Sequence, residues 1–301
     1  MNTALMNTAS MNTASMNTAV VKFIGVSTGA SRIHAVFPRW AAILGVGAEV
    51  VGVDVPVGAS AGVYREVLES LRDQSVLGAV VTSHKVGLFQ AAADAFDELD
   101  RLAAACREVN AVRNDGGRLT GYARDPVSVG RVVDEIWPDP GAPLLCLGAG
   151  GTAIALGRHL LSRGQTGAMR FVDRDPAAVA RLRDVLGDPR IDASTADGPF
   201  DSAIADLPRG ALVVNATGAG KDRPGSPVTD AVAFPPGTVV WELNYRGDLR
   251  MLRSARAQAD ACRLRVHDGL SLFCHGWAAA LTAALGLPDD PALGDRFMTV
   301  L

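Results

Sequence analysis

The chain is poor in lysine, which occurs only at Lys22, Lys85 and Lys221, and its other basic residues are all arginine. Arginine keeps its proton in proteins, whereas lysine can lose and regain one when its surroundings shift its pKa. A chain that takes its surface charge from arginine has little need of lysine for that purpose. Each lysine is therefore a candidate for a position that requires proton exchange.

Cysteines, aromatic residues and net charge are also scarce, with four cysteines, 5% aromatic residues and a net charge of −3. The cysteines and the five histidines are far apart, so we predict no metal site and no disulfide framework, and we expect reduced thiols in a cytoplasmic protein. No apolar run reaches the roughly 18 residues that a membrane span needs. Neither charge nor aromatic content indicates a nucleic-acid partner, and 301 residues suit a soluble monomer or homodimer with about two domains per chain.

Residues 1–18 repeat the unit Met-Asn-Thr-Ala and contain neither charge nor a core-forming pattern. Such a low-complexity segment is expected to be a disordered tail. It also lacks the basic start and the apolar centre of a signal peptide. The folded part of the chain is therefore expected to begin at about residue 19.

A glycine-rich turn follows a short apolar strand near the middle of the chain. Leu144 to Leu147 precede Gly148-Ala149-Gly150-Gly151-Thr152-Ala153, and helical periodicity begins at Thr152. Glycines let a ligand approach the backbone closely, and the free N–H groups at a helix start attract a diphosphate. A second predicted strand, 168–172, ends at Asp173, whose carboxylate can accept hydrogen bonds from ribose hydroxyls. The pattern predicts a dinucleotide site.

Apolar periodicity predicts strands that alternate with helices on both sides of this turn. Residues 21–93 follow the order strand, helix, strand, helix, strand, helix, which favours a parallel sheet covered on both faces, and 109–122 suit a hairpin. Further strands are predicted at 168–172, 211–215, 238–243 and 263–266, in a Rossmann-like order. The predicted fold class is α/β, with an N-terminal α/β domain, a doubly wound dinucleotide-binding domain and a cleft between them.

Two polar residues stand at the ends of predicted elements where chemistry is often found. Lys85 follows the strand at 77–82, at the carboxyl edge where ligands of open α/β sheets bind, and a cation there opposes the dipole of the next helix. Asp125 precedes a proline at a predicted helix start, where an ordinary N-cap explains it as well as a function does. His84 adjoins Lys85 and is the histidine nearest to this chemistry.

Taken together, the motifs of residues 21–290 resemble those of the shikimate and quinate dehydrogenase family. The family's Ala-Val-Asn-Thr is similar to Glu108-Val109-Asn110-Ala111, and its Gly-x-Asn-Thr-Asp matches 121–125 at the ends only. The other matching strings are the loop 24–34, Val80 to Lys85, the glycine-rich turn, Asn215-Ala216-Thr217, Tyr245 and Asp268-Gly269-Leu270.

The resemblance implies a nicotinamide-dependent oxidoreductase of the shikimate pathway, which leads to aromatic amino acids. Such an enzyme interconverts a ring secondary alcohol and its ketone on shikimate, quinate or a related carbocyclic acid. Its substrate domain would comprise 19–125 and 268–301, and its dinucleotide-binding domain 126–267. Lys85 and Asp125 would be the catalytic pair, and lysine can serve in both directions if its pKa moves towards neutrality. The resemblance further implies substrate contacts by Thr82, Asn110 and Tyr245, and cofactor contacts by the glycine-rich turn, Asn215, Ala216, Thr217 and Gly269.

The chain departs from the family where the family binds the substrate carboxylate. The family's Ser-x-Ser pair falls on Thr28 and Ala30, so that one hydroxyl is missing. The candidate replacements are Ser27, Ser31, His84 and Arg124. A glutamine of the last long helix falls on Gly276, beside His275, which becomes a further candidate contact.

Cofactor choice can be argued from the triplet Asp173-Arg174-Asp175, where NADP-using relatives carry Asn-Arg-Thr or similar residues. Two carboxylates should repel the 2′-phosphate of NADP, so we expect NAD rather than NADP, and Arg174 could stack on the adenine. Two alternatives stay open. A methylene-tetrahydrofolate dehydrogenase also combines a lysine with a Rossmann domain, although Asn110, Asp125 and Tyr245 argue against it. A nucleotide-binding regulator without turnover is the other.

Overall fold

The computed structural model describes residues 19–220 and 224–301, which form two six-stranded sheets with helices packed on them. The predicted disordered tail, 1–18, and one of the three lysines, Lys221, lie outside the described residues. Within the described ranges, no helix is long and apolar enough to cross a membrane.

The first sheet has the strand order β2-β1-β3-β5-β6-β4. Its strands are β1 (Ala19–Gly25), β2 (Ala48–Asp54), β3 (Val76–Val81), β4 (Glu98–Leu99), β5 (Ala111–Asp115) and β6 (Arg118–Tyr122). The parallel sheet predicted for residues 21–93 is confirmed in β1, β2 and β3, whereas β5 runs antiparallel to both β3 and β6, and β4 is parallel to β6. The predicted hairpin causes this reversal, and the Asn114 side chain closes its turn by accepting the Gly117 N–H at 2.8 Å.

Five helices belong to this half of the chain. They are α1 (Ile33–Leu44), α2 (Ala61–Ser70), α3 (Lys85–Ala92), α4 (Arg101–Cys106) and α5 (Asp125–Ile136). Side chains start two of them, since Ser60 accepts the Val63 N–H and Asp100 accepts the Ala103 N–H. The α4 helix therefore begins at Arg101, directly after the short strand β4 at 98–99 and the capping Asp100.

The second sheet is parallel throughout, in the order β12-β11-β10-β7-β8-β9. Its strands are β7 (Leu144–Leu147), β8 (Met169–Asp173), β9 (Ile191–Thr195), β10 (Leu212–Asn215), β11 (Val239–Glu242) and β12 (Arg265–His267), with helices α6 (Gly151–Ser162), α7 (Pro176–Leu186), α8 (Asp201–Ala205) and α9 (Arg250–Cys262). The Rossmann-like order is confirmed. Because the chain continues to β8 on one side of β7 and to β10 on the other, β7 lies at the switch point where open α/β sheets bind ligands.

The last two helices, α10 (Leu270–Ala284) and α11 (Leu293–Met298), return to the first sheet. Trp40 of α1 stacks on Phe297 of α11 with ring centroids 4.4 Å apart, and its indole N–H donates to the Phe297 carbonyl at 3.1 Å. This packing is what a discontinuous substrate domain requires. The boundaries after residues 125 and 267 stay a prediction.

Candidate active site

Lys85 and Asp125 meet at the carboxyl edge of the first sheet, where each is the first residue of its helix, α3 and α5. Their side chains form an ion pair, and each is 16% exposed. The side-chain N–H of Asn110 donates to the other carboxylate oxygen of Asp125. The side-chain oxygen of Asn110 accepts the backbone N–H of Arg124 at 2.7 Å. Asp125 makes no capping bond to its own helix. The simple N-cap explanation of this residue is therefore wrong.

The electrostatics of Lys85 differ from the expectation of a nearly neutral lysine. Burial lowers the pKa of its amine, but the charge of Asp125, together with that of Glu108 when Glu108 is ionised, raises it by more, and the net shift is upward. The condition that this pKa moves towards neutrality is therefore not met by these neighbours. Lys85 is an ammonium here, which makes it a proton donor to a developing alkoxide.

Glu108 is a third carboxyl group near this pair that motif comparison did not single out. The residue is fully buried, and neither carboxyl oxygen has a hydrogen-bond partner among residues 19–220 and 224–301. Burial raises its pKa to about 8, against the opposing effect of the Lys85 ammonium. The sequence does distinguish Glu108, because the matching family motif has alanine at this position.

The glycine-rich turn is tight and packs closely on a neighbouring turn. Gly148 has φ +109°, and a Cβ there would lie 2.7 Å from the Ala216 carbonyl group, so only glycine fits. A Cβ on Gly150 would meet none of the described residues within 4 Å, so these leave space open at the N-terminus of α6. Thr152 and Ala153 lie in the first turn of that helix. The adjacent turn is held by Asn215, whose side-chain oxygen accepts from the N–H and the hydroxyl of Thr217 at 3.1 and 2.7 Å.

The acidic residues after β8 are partly engaged with the backbone. Asp173 accepts the Ala149 N–H at 2.7 Å and so ties the glycine-rich turn to the neighbouring strand. Asp175 caps α7 by accepting the Ala177 N–H at 2.9 Å, and Arg174 between them is exposed. Each carboxylate oxygen still has a second lone pair, so Asp173 keeps the capacity to accept a ribose hydroxyl.

In the loop after β1, the Thr28 hydroxyl and N–H both donate to Asp54 of β2, at 2.6 and 2.7 Å. Thr28 is buried by this contact, whereas Ser27 is exposed and Ser31 half-buried, with its hydroxyl oxygen 3.3 Å from the Ile33 N–H that it accepts. The serine hydroxyls are therefore more available to a ligand than that of Thr28.

Thr82, at the end of β3, donates its hydroxyl to the Ile24 carbonyl at 3.3 Å. The imidazole of His84, two residues further, is buried between the Val55 carbonyl at 2.8 Å and the Tyr64 hydroxyl at 2.9 Å. Both ring nitrogens are thus used, and the hypothesis that His84 replaces the missing carboxylate contact is wrong.

Arg124 is the other candidate for that contact, and it lies directly before Asp125. Its guanidinium is 3.0 Å from the Asp100 carboxylate and 4.8 Å from the centroid of the Tyr122 ring, and its side chain is 24% exposed. A guanidinium has five N–H donors, so pairing with Asp100 leaves donors for a second acid.

Three further candidates lie on or before α10. The buried ring of His275 packs against Gly294 of α11, with its Nε2 3.4 Å from Asp295, and this position gives a substrate contact no support. The Tyr245 ring lies 4.8 Å from that of Phe273. Gly269 begins α10 so close to the Leu243 carbonyl that no Cβ fits.

Comparison with known proteins relates this geometry to characterised enzymes, although no protein-family model matches the chain. Over 253 residues the chain is 30% identical to the shikimate dehydrogenase (NADP(+)) of Xanthomonas euvesicatoria pv. vesicatoria, which covers 82% of this chain and 83% of the relative. It is 34% identical over 200 residues to the shikimate dehydrogenase (NADP(+)) of Salinibacter ruber, a match that covers 64% of this chain and 69% of the relative. Quinate dehydrogenase from Corynebacterium glutamicum in complex with NAD shares the fold, with a TM-score of 0.73 at 22% identity over 94% of this chain and 99% of that chain.

Proposed function

The chain belongs to the shikimate dehydrogenase family, and from this premise we propose that it interconverts a ring secondary alcohol and its ketone on shikimate or a close carbocyclic acid such as quinate. As a member of the family it is an oxidoreductase that acts on a CH–OH group with a nicotinamide cofactor. The observation that carries the finer proposal is the ion pair of Lys85 and Asp125, held by Asn110 beside the glycine-rich turn.

In the direction of ketone reduction, the Lys85 ammonium donates its proton to the carbonyl oxygen as that oxygen gains negative charge. In the opposite direction, the neutral amine takes the hydroxyl proton. Asp125 orients the ammonium through the ion pair, and Asn110 keeps Asp125 from turning away. The cofactor, when bound, supplies or accepts the hydride, which is the only part of the reaction that this chain's side chains do not provide.

We propose NAD as the preferred cofactor. Gly148, Gly150 and Gly151 would hold its diphosphate at the N-terminus of α6, and the open space at Gly150 supports this fit. The carboxylates of Asp173 and Asp175 disfavour the 2′-phosphate of NADP, the cofactor in the names of the two curated relatives.

A buried substrate carboxylate requires hydrogen-bond donors, because leaving one unpaired is costly. We propose that Ser27, Ser31 and Arg124 provide them. The support is that the serine hydroxyls are accessible while Thr28 is taken by Asp54, and that Arg124 keeps donors beyond those facing Asp100.

The test incubates the purified protein with NAD or NADP and with shikimate, quinate, their amino-substituted analogues or methylene-tetrahydrofolate, and follows the absorbance of the reduced nicotinamide. Lys85→Ala should lower kcat by about 10²- to 10⁴-fold while the Kd of the cofactor changes little. Lys85→Arg is the matched control, since it keeps the positive charge but does not exchange a proton, and it should be impaired as well.

Turnover that survives Lys85→Ala would refute the proton-transfer role. Preference for NADP over NAD would contradict the charge argument at Asp173 and Asp175. Cofactor binding without turnover of any compound would favour a nucleotide-binding regulator, and turnover of methylene-tetrahydrofolate alone would favour the folate enzyme.

A further inference from the structure

The carboxyl group of Glu108 lies between the lysine and the glycine-rich turn. A Cβ built on Gly151 would lie 2.6 Å from the Glu108 Oε2, 3.6 Å from the Val86 side chain and 3.7 Å from the Lys85 Cε. The backbone joins the same residues, because the Val109 N–H donates to the Lys85 carbonyl at 3.1 Å. The Glu108 Oε2 and the Lys85 Cε thus both lie beside the first residue of α6, within 3.7 Å of the same point.

A carboxyl group buried in this position without hydrogen-bond donors costs folding free energy. Neither Glu108 oxygen finds a hydrogen-bond donor in the described parts of the chain, and an unsatisfied buried acid costs several times what an ordinary hydrogen bond contributes. The family motif that the chain resembles carries alanine at this position, which would avoid that cost. Glu108 therefore lowers stability relative to the alanine of the matching family motif.

We propose that Glu108 is a further positioning residue of this site, which holds a proton for Lys85 and returns it after each transfer to the substrate. The proposal rests on the proton-transfer role of Lys85 in the proposed function. Lys85 is the group to which Glu108 can give its proton. The lysine amine is paired with Asp125, while the Cε of the same flexible chain lies near Glu108.

The step conserves protons and charge. In ketone reduction the Lys85 ammonium gives its proton to the substrate oxygen and becomes a neutral amine. The O–H bond of the Glu108 carboxyl then breaks as the amine takes its proton, which restores the ammonium and leaves a carboxylate. Water reprotonates that carboxylate before the next turnover, and alcohol oxidation runs the same sequence in reverse.

Four other groups set the charge around Glu108. The Lys85 ammonium favours its carboxylate, Asp125 disfavours it, and Cys106 and Arg158 lie near the same buried position. Burial outweighs the lysine, so that the Glu108 pKa of about 8 keeps it protonated at neutral pH. Ketone reduction should therefore slow as pH rises through about 8, and alcohol oxidation should accelerate over the same range.

The experiment compares wild type, Glu108→Gln, Glu108→Ala and Lys85→Ala by pH–rate profiles in both directions. Glutamine keeps the shape of Glu108 but has no exchangeable proton of this kind, and alanine is the residue of the matching family motif. Alanine removes the partnerless buried acid, and glutamine replaces it with a neutral group of the same shape, so both variants should fold. We expect kcat to fall by about 10-fold in Glu108→Gln and Glu108→Ala. The change in rate near pH 8 should also be absent from their pH–rate profiles.

Infrared spectroscopy gives a readout that needs no turnover. The carbonyl stretch of a protonated carboxylic acid should be present at about pH 6 and lost by about pH 10 in the wild-type minus Glu108→Gln difference spectrum. Glu242 is an internal comparison, because burial raises its pKa to about 7 and its signal should be the same in both proteins.

An unchanged kcat and pH profile in Glu108→Gln and Glu108→Ala, with Lys85→Ala inactive, would overturn this inference and leave the proposed function intact. Full activity of Lys85→Ala would overturn both. A difference spectrum without a titrating band near pH 8 would also refute the inference, because Glu108 would then hold no exchangeable proton.

Discussion

A methyl group added at Gly150 should weaken cofactor binding without disturbing the fold. Gly150 precedes the first turn of α6 with φ −76°, a value that alanine adopts without strain, and its Cβ would meet no atom of residues 19–220 or 224–301 within 4 Å. The space that the methyl group enters is the one at the helix N-terminus where a diphosphate would lie. Gly150→Ala therefore separates ligand binding from packing.

The magnitude follows from the contacts that the methyl group would displace. Loss of one charge-assisted hydrogen bond between a backbone N–H and a phosphate oxygen costs about 1.5 to 3 kcal/mol, which raises Kd by roughly 10- to 150-fold. Stability should change by less than about 1 kcal/mol, because alanine is only a somewhat poorer cap than glycine.

Gly148→Ala is the matched control at the other end of the turn. It combines φ +109° with a Cβ only 2.7 Å from the Ala216 backbone, so we expect a loss of about 2 to 4 kcal/mol of unfolding free energy and a Tm lower by roughly 5 to 15 °C. Titration calorimetry with NAD and thermal melts of both variants test this. Wild-type cofactor affinity in a folded Gly150→Ala protein would refute the assignment of the diphosphate to this turn.

Two further predictions concern charge. Asp175→Ser keeps a capping side chain for α7 but removes one negative charge. The ratio of kcat/KM for NADP to kcat/KM for NAD should therefore rise by about 5-fold. An unchanged ratio would contradict the electrostatic basis of the NAD proposal. Burial raises the pKa of Glu242 from 4.5 to about 7, although bonds from Asn215 and Asn244 oppose this. The folded state therefore binds the proton more tightly, and this contribution to stability is complete below about pH 4.5 and declines as pH rises to about 7. Urea unfolding at several pH values should show this decline in wild type and a smaller one in Glu242→Gln, and equal slopes would refute it.

The architecture could be predicted where strands are buried on both faces. β7, β10 and β11 are almost wholly apolar runs, as central parallel strands are, and they stand out from the helices between them. β9 was not predicted because it lies at the sheet edge, where alternate residues such as Asp192 are exposed and the apolar signal is halved. The two-residue strand β4 is too short to have a period.

The site was predictable in its residues but only partly in its geometry. The scarcity of lysine and the motif order both indicated Lys85, yet the orientation of neighbouring side chains depends on distant segments. Both nitrogens of His84 are engaged within the protein, because they bind the Val55 carbonyl and the Tyr64 hydroxyl, which lie 20 or more positions earlier in the chain. Asp125 pairs with Lys85 rather than capping α5 because Asn110, from before the hairpin, binds its second oxygen.

The charge state of Lys85 depends on the same long-range assembly, and it has a consequence for direction. A single neighbouring carboxylate against burial could have left the lysine near neutrality, but Asp125 and Glu108 together hold its pKa above the ordinary value. An ammonium can donate a proton in ketone reduction, whereas oxidation must first remove a proton from Lys85. Glu108, once ionised above about pH 8, is a second carboxylate beside Asp125 that can take it. The ratio of kcat for oxidation to kcat for reduction, each measured at saturating substrate, should therefore increase with pH more steeply in wild type than in Glu108→Gln.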